Sequence, residues 1–151
     1  MSTEAGRAER ALALVLRITG CVMLLALLAV PLPRFWIAVV HEFLRIGDMP
    51  LDAPIIPYLA RSASLLYACV GAIFVLLSFD VRRYVPLLRL LGWGTPLGGV
   101  TMLLIDLTAP MPGYWTAAEG PFIISLGLAI ALLVRRVPAA PVTPPLAGPP
   151  G

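Results

Sequence analysis

Lysine is absent from this sequence: all 11 basic residues are arginine, and Asp, Glu, Lys and Arg together make up only 13% of the chain. A soluble domain carries roughly 25% charged residues, so this composition does not supply a water-facing globular surface. The formal charge of +3 sits on arginines at the ends of apolar runs rather than in a patch, which fits membrane topology and argues against nucleic acid as a partner. Histidine occurs once, as His41. A single imidazole excludes a bis-histidyl haem site and the H-E-x-x-H zinc pattern, and neither a metal nor another cofactor is expected. Cysteine occurs twice, as Cys21 and Cys69, each inside an apolar run, which leaves no disulfide framework. No Ser or Cys nucleophile has a base at recognisable spacing. The G-x-G at Gly92 neither follows a strand nor has the third glycine of a dinucleotide fingerprint. Nothing in these patterns marks a catalytic residue.

Apolar sequence is what the chain has in quantity: 60% hydrophobic residues and a mean hydropathy of +0.94. The expected fold is all-α, a four-transmembrane-helix bundle with spans over residues 11–31, 62–79, 84–107 and 116–134, each near the roughly 20 residues that cross a bilayer core. Residues 1–137 form one membrane domain, and the Pro-rich stretch 138–151 is expected to be an extended, disordered tail, because it has no apolar face to bury. The first run is longer than the roughly 7–15 residues of a signal-peptide core and lacks an A-x-A site, so it is read as an uncleaved helix. Arg17 inside it can extend its guanidinium back to the headgroups.

The longest connection, Arg34 to Arg61, carries the histidine. Trp36, Val39, Val40, Phe43 and Leu44 recur at i, i+3, i+4, i+7 and i+8, with Ala38, His41, Glu42 and Arg45 opposite; this period predicts a short helix over about 35–46, lying in the interface plane with its aromatic face towards lipid or the bundle. Gly47 is placed to end it, and Asp48 and Asp52, each two residues before a proline, read as turns. The second and third spans follow each other closely and are expected to be antiparallel neighbours. Within the third, Gly92 to Gly99 reads G-W-G-T-P-L-G-G. That composition predicts a kinked, tightly packed helix in which Gly92, Gly94, Gly98 and Gly99 allow a second helix to approach closely, Gly94 and Gly98 forming G-x-x-x-G.

Arginine also sets the expected orientation. Arg7, Arg10, Arg82, Arg83, Arg135 and Arg136 gather on one side, which the positive-inside rule makes the cytoplasm. The chain is thus expected in a bacterial inner membrane with both termini cytoplasmic, and Asp80 beside Arg82 and Arg83 is read as a weak surface ion pair. The opposite side then collects most of the remaining ionisable groups. His41, Glu42, Tyr58, Arg61, Asp106 and Glu119 are the candidate polar cluster there. Glu119 follows Thr116 in T-x-x-E, the pattern of a capping box, while a carboxylate within a span is expensive unless partnered, and Arg61 is the expected partner.

The stretches P-Y-L-A-R-S-A-S-L-L-Y-A (Pro57 to Ala68), L-S-F-D-V-R-R-Y (Leu77 to Tyr84), M-L-L-I-D-L (Met102 to Leu107) and P-G-Y-W-T-A-A-E-G-P (Pro112 to Pro121) resemble a family of small, uncharacterised bacterial four-helix membrane proteins. The resemblance spans Trp36 to Gly127 and implies a fold and a compartment, with no activity attached. In size and layout the chain is also similar to DoxX-like membrane proteins, some of which are subunits of membrane oxidoreductases; that likeness is architectural. Packing signals outnumber catalytic ones. The expected role is accordingly a non-enzymatic membrane protein that self-associates or docks as an accessory subunit. The alternatives are a small-ligand or ion-handling protein with an external polar cavity, and an accessory subunit of a membrane oxidoreductase.

Overall fold

A computed structural model of the chain describes residues 3–45, 53–109 and 111–140. The described residues form five α-helices: α1 over Thr3–Leu24, α2 over Arg34–Phe43, α3 over Ile55–Leu77, α4 over Val85–Thr108 and α5 over Gly113–Val134. A 3-10 segment, Leu25–Ala29, prolongs α1 until Pro31 and Pro33 withdraw two amide donors from the chain. Among the described residues, four helices are long and apolar enough to cross a membrane: Glu4–Ala29, Ile55–Leu77, Val85–Thr108 and Gly113–Val134.

Three of these start earlier than hydropathy alone places them, α1 because its polar first turns are helical too, α3 and α5 because turns rich in proline begin the helices rather than delay them. Pro54 precedes α3 and Pro112 precedes α5, each with the fixed φ that suits a helix entrance. α4 runs without interruption through Gly92 to Gly99 with Pro96 inside it, and α5 runs through Pro121. The stretch expected to kink stays within one helix, although Pro96 has no N–H to donate and leaves the carbonyl one turn earlier without its usual helical partner.

The helices associate as two pairs. α1 packs along α3, and α4 packs along α5 through the most extensive interface in the molecule. α3 and α4, although consecutive, form no comparable interface; α1 and α5 make the principal link between the pairs. Glycine sets both crossings. A Cβ on Gly20 would lie 2.7 Å from the Gly71 carbonyl oxygen, and one on Gly71 would lie equally close to that of Gly20. In α4 and α5, Gly92 meets the backbone of Ala131, Gly99 meets Ile124 and Gly120, and Gly127 meets the Pro96 ring. Gly92 and Gly99 are seven positions apart, as are Gly120 and Gly127, so each helix presents its small residues on one seam. Gly94 and Gly98 have open space where a Cβ would stand and take no part in this crossing.

Fully packed apolar side chains concentrate at the end that carries the termini. Ala8, Leu12 and Leu16 of α1 meet Phe74 and Leu77 of α3, Val81, Val85 and Leu88, and Ile130, Val134 and Val137. Polar groups close the same end. Arg82 donates from Nε and Nη2 to the Glu9 carboxylate at 2.6–2.9 Å, and the Ala140 N–H donates to the Arg82 carbonyl at 3.2 Å. Arg82 is bonded to Glu9 and also feels the charge of Asp80, whose Oδ1 accepts the backbone N–H of Arg83. The Glu9 hydrogen bonds hold the Arg82 guanidinium above its ordinary value, so its charge persists at any ordinary pH. Glu9→Gln or Arg82→Gln should each lower the melting temperature by a few degrees, whereas the exchange Glu9→Arg with Arg82→Glu restores most of the loss; thermal unfolding of the four proteins in one detergent reads this out. Of the Pro-rich stretch, residues 138–140 are non-helical, and 141–151 lie outside the described residues.

Candidate functional site

The far end of the molecule holds the candidate polar groups, and each has a different local origin. α2 forms as its period predicts but ends at Phe43, where Arg45 adopts φ 50° and donates its N–H to the Glu42 carbonyl at 2.9 Å. A left-handed residue just past a helix is the usual stop; Arg45 takes that place, while Gly47, Asp48 and Asp52 lie outside the described residues. No residue of α2 is buried, Phe43 is 83% exposed, and the Phe35 and Trp36 rings pair at 5.2 Å on the same uncovered helix. α2 builds no packed interface with another helix. His41, half-buried, and Glu42, exposed, consequently do not join the groups on α3 to α5.

Arg61 and Tyr58 enter with the first turns of α3. Tyr58 is exposed. Arg61 is half-buried and donates from Nη2 to the Leu32 carbonyl at 2.8 Å, while its Nε is buried without a partner. The acceptor exists because the prolines at 31 and 33 end the preceding helix and leave a carbonyl free. Asp106 stands seven positions beyond Gly99, which keeps it on the side of α4 that faces α5. It is only 5% exposed, and its Oδ2 is buried with no hydrogen-bond partner among the described residues.

Glu119 is not a cap. α5 begins at Gly113, with Trp115 and Thr116 N–H groups donating to the Pro112 carbonyl, so Glu119 falls in the second turn. Its Oε2 accepts a hydrogen bond from the Trp115 indole N–H, the i,i+4 relation of neighbours on a helix face. Arg61, Asp106 and Glu119 form no ion pair with one another among the described residues; the expected partnership of Arg61 with Glu119 gives way to the Leu32 carbonyl on one side and the Trp115 indole on the other.

The Leu32 carbonyl that holds Arg61 is the partner that the sequence hides best, since a main-chain acceptor carries no pattern. The Trp115–Glu119 bond was accessible from spacing once the start of α5 is known. Among the described residues no three His, Cys, Asp or Glu side chains gather as a metal site would require. At the opposite end, a groove of about 310 Å³ opens between α1 and α5, lined by Glu4, Arg7, Ala8, Ala11, Leu133 and Arg136. Arginines at that end also lie over aromatic rings: Arg17 over Phe79 at 5.3 Å, Arg83 over Tyr84 at 5.8 Å and Arg135 over Trp93 at 5.2 Å. Comparison of the chain with protein-family models, with curated proteins and with solved structures finds no match.

Proposed function

We propose that the chain is a four-span bundle of a bacterial inner membrane, with the termini and the connection between α3 and α4 in the cytoplasm, that works by association rather than by catalysis. It binds a second copy of itself or serves as an accessory subunit through the outer face of α4. Support for the orientation comes from Arg17, which reaches Ser78 and Phe79 at the terminal end, and from Arg83 and Arg135 stacked on aromatics where a headgroup layer would lie. The observation that carries the association reading is the division of labour in α4: Gly92 and Gly99 serve the contact with α5, whereas Gly94 and Gly98 face open space. A G-x-x-x-G pair spent on no internal contact suits helix association in lipid, where van der Waals packing between small residues supplies the driving force. α2, with its apolar face uncovered, lies on the lipid surface beside the bundle. Docking on a membrane oxidoreductase, as the architectural likeness to DoxX-like proteins implies, is one form of the accessory role.

Association measured by energy transfer between labelled copies in liposomes, together with the masses that co-purify in mild detergent, tests this reading. Gly94→Leu with Gly98→Leu should weaken association about tenfold or more while leaving the melting temperature of the isolated chain within a few degrees of the parent. A monomer without co-purifying protein, indifferent to both substitutions, rules the reading out.

A second reading, handling of a small solute at the far end, is favoured by one observation. Asp106 keeps a buried carboxyl oxygen without a partner inside a candidate span, the kind of expense that membrane proteins reserve for working groups.

A further inference from the structure

We infer that the groove between α1 and α5 at the terminal end is a headgroup site for an ethanolamine phospholipid, with Arg7 and Arg136 on the phosphodiester and Glu4 on the ammonium. This site rests on the four-span part of the proposed function and goes beyond both association and solute handling.

The groove lies where the two helix pairs meet, since α1 and α5 make the principal link between them. α1 supplies Glu4, Arg7, Ala8 and Ala11, which recur at i, i+3, i+4 and i+7 and therefore line one helix face. From the end of α5 and the turn that continues it come Leu133 and Arg136, tied by the Arg136 N–H donating to the Leu133 carbonyl at 3.1 Å. Because α1 leaves the terminal end where α5 returns to it, both walls carry the same gradient, with charge at the outer edge and Ala8, Ala11 and Leu133 further in. The depth suits a membrane surface. The first span, Glu4–Ala29, has 26 residues, whereas roughly 20 cross the hydrocarbon core, so the opening turns of α1 stand in the headgroup layer.

Size and charge select the occupant. A volume of about 310 Å³ is at the low end of the roughly 300–1,000 Å³ of small-molecule sites; it takes a headgroup and not a helix about 10–12 Å across. A soluble phosphate compound gains nothing from the three apolar residues, whereas a phospholipid lays its glycerol and first methylenes against them. Two guanidinium forks suit a phosphodiester. Glu4 and Arg136 are exposed, and neither has an ion pair among the described residues, so a carboxylate and a guanidinium stand in the groove with their charges to be met. The carboxylate separates the lipid classes: a primary ammonium brings it three N–H donors, choline brings none, and a glycerol headgroup brings no cation.

Full-length protein in a mild detergent, offered equal amounts of palmitoyl-oleoyl phosphatidylethanolamine, phosphatidylglycerol and phosphatidylcholine and weighed with its bound lipid by native mass spectrometry, tests the assignment. Phosphatidylethanolamine should be retained over the other two. Arg7→Gln and Arg136→Gln should each cut that retention about fivefold, and Glu4→Gln should abolish the preference over phosphatidylglycerol while lipid is still bound. All three residues are exposed, so their substitution leaves the packing intact. Arg83→Gln removes an arginine of the same end that does not line the groove and should change nothing. Retention without headgroup preference, indifference to the groove substitutions, an equal loss from Arg83→Gln, or displacement of the lipid by soluble phosphoethanolamine at equal concentration overturns the proposal. Carbonate extraction of liposomes made from the same lipids separates the two levels: an integral protein without headgroup preference loses the site alone, whereas one that carbonate releases loses the four-span reading as well.

Discussion

Gly127→Ala should destabilise the protein by about 1–3 kcal/mol or more, the largest effect expected of any single methyl group in the chain. A Cβ at this position would overlap Cδ of Pro96 and stand 2.6 Å from its Cγ and 2.7 Å from its N. A flexible side chain could swing aside; a pyrrolidine ring built into the α4 backbone cannot. The helices would have to part, and parting them also opens the contacts of Gly92 with Ala131 and of Gly99 with Gly120. In lipid those contacts cannot be replaced by hydrophobic burial, because acyl chains are as apolar as the side chains they would touch. Gly98→Ala is the matched control: nothing lies within 4 Å of its would-be Cβ, and alanine favours a helix by up to roughly 1 kcal/mol over glycine. Thermal unfolding in detergent should therefore show a clear fall for Gly127→Ala and no fall for Gly98→Ala. Equal stability of the two variants would mean that α4 and α5 do not cross at Pro96.

The second large effect has the opposite sign. Asp106→Leu should raise stability, by an amount on the order of 1–3 kcal/mol, although it replaces one of only two buried polar side chains among the described residues. Its Oδ2 is buried without a hydrogen-bond partner among the described residues, so the fold bears the desolvation of a polar atom that it does not satisfy. An apolar side chain with the same branching sheds that burden while closely matching the shape packed against α5. A stabilised variant that has lost solute binding or association would identify Asp106 as a group kept for work at the expense of stability. A destabilised one would show that the carboxyl finds a partner, from solute or a second chain, under the conditions of measurement.

How much of this was legible in the residues varies by element. The four long apolar helices follow from hydropathy alone, and α2 follows from its period, because both signals are properties of one helix. Helix starts at Ile55 and Gly113 were displaced by proline-rich turns, and the uninterrupted course of α4 through Pro96 overrode the propensity of Gly and Pro, since intrinsic preference is a weak prior that tertiary packing overrides. Contacts between helices were harder. Gly94 and Gly98 satisfy the small-residue pattern as well as Gly92 and Gly99 do, and only the register of α4 against α5 decides which pair meets a neighbour. Arg61 and Glu119 occur at the same end of the chain's topology, yet a freed carbonyl at Leu32 and an indole one turn away intercept them; both competitors are local accidents of chain ending and spacing. Glu9 with Arg82 carries no sequence signal at all, being a contact between groups more than seventy positions apart.

The apolar cluster at the terminal end has a consequence for biogenesis. In a polypeptide made from its N-terminus, α1 can settle against α3 through Gly20 and Gly71 as soon as the first pair has emerged. The N-terminal half of α1 gains the rest of its cover, Ile130, Val134 and Val137, only when the last helix arrives, and the Ala140 amide then fastens onto the Arg82 carbonyl. Leu12 and Leu16 thus keep one side uncovered until α5 arrives, so the last helix made closes the joint that the first one opened.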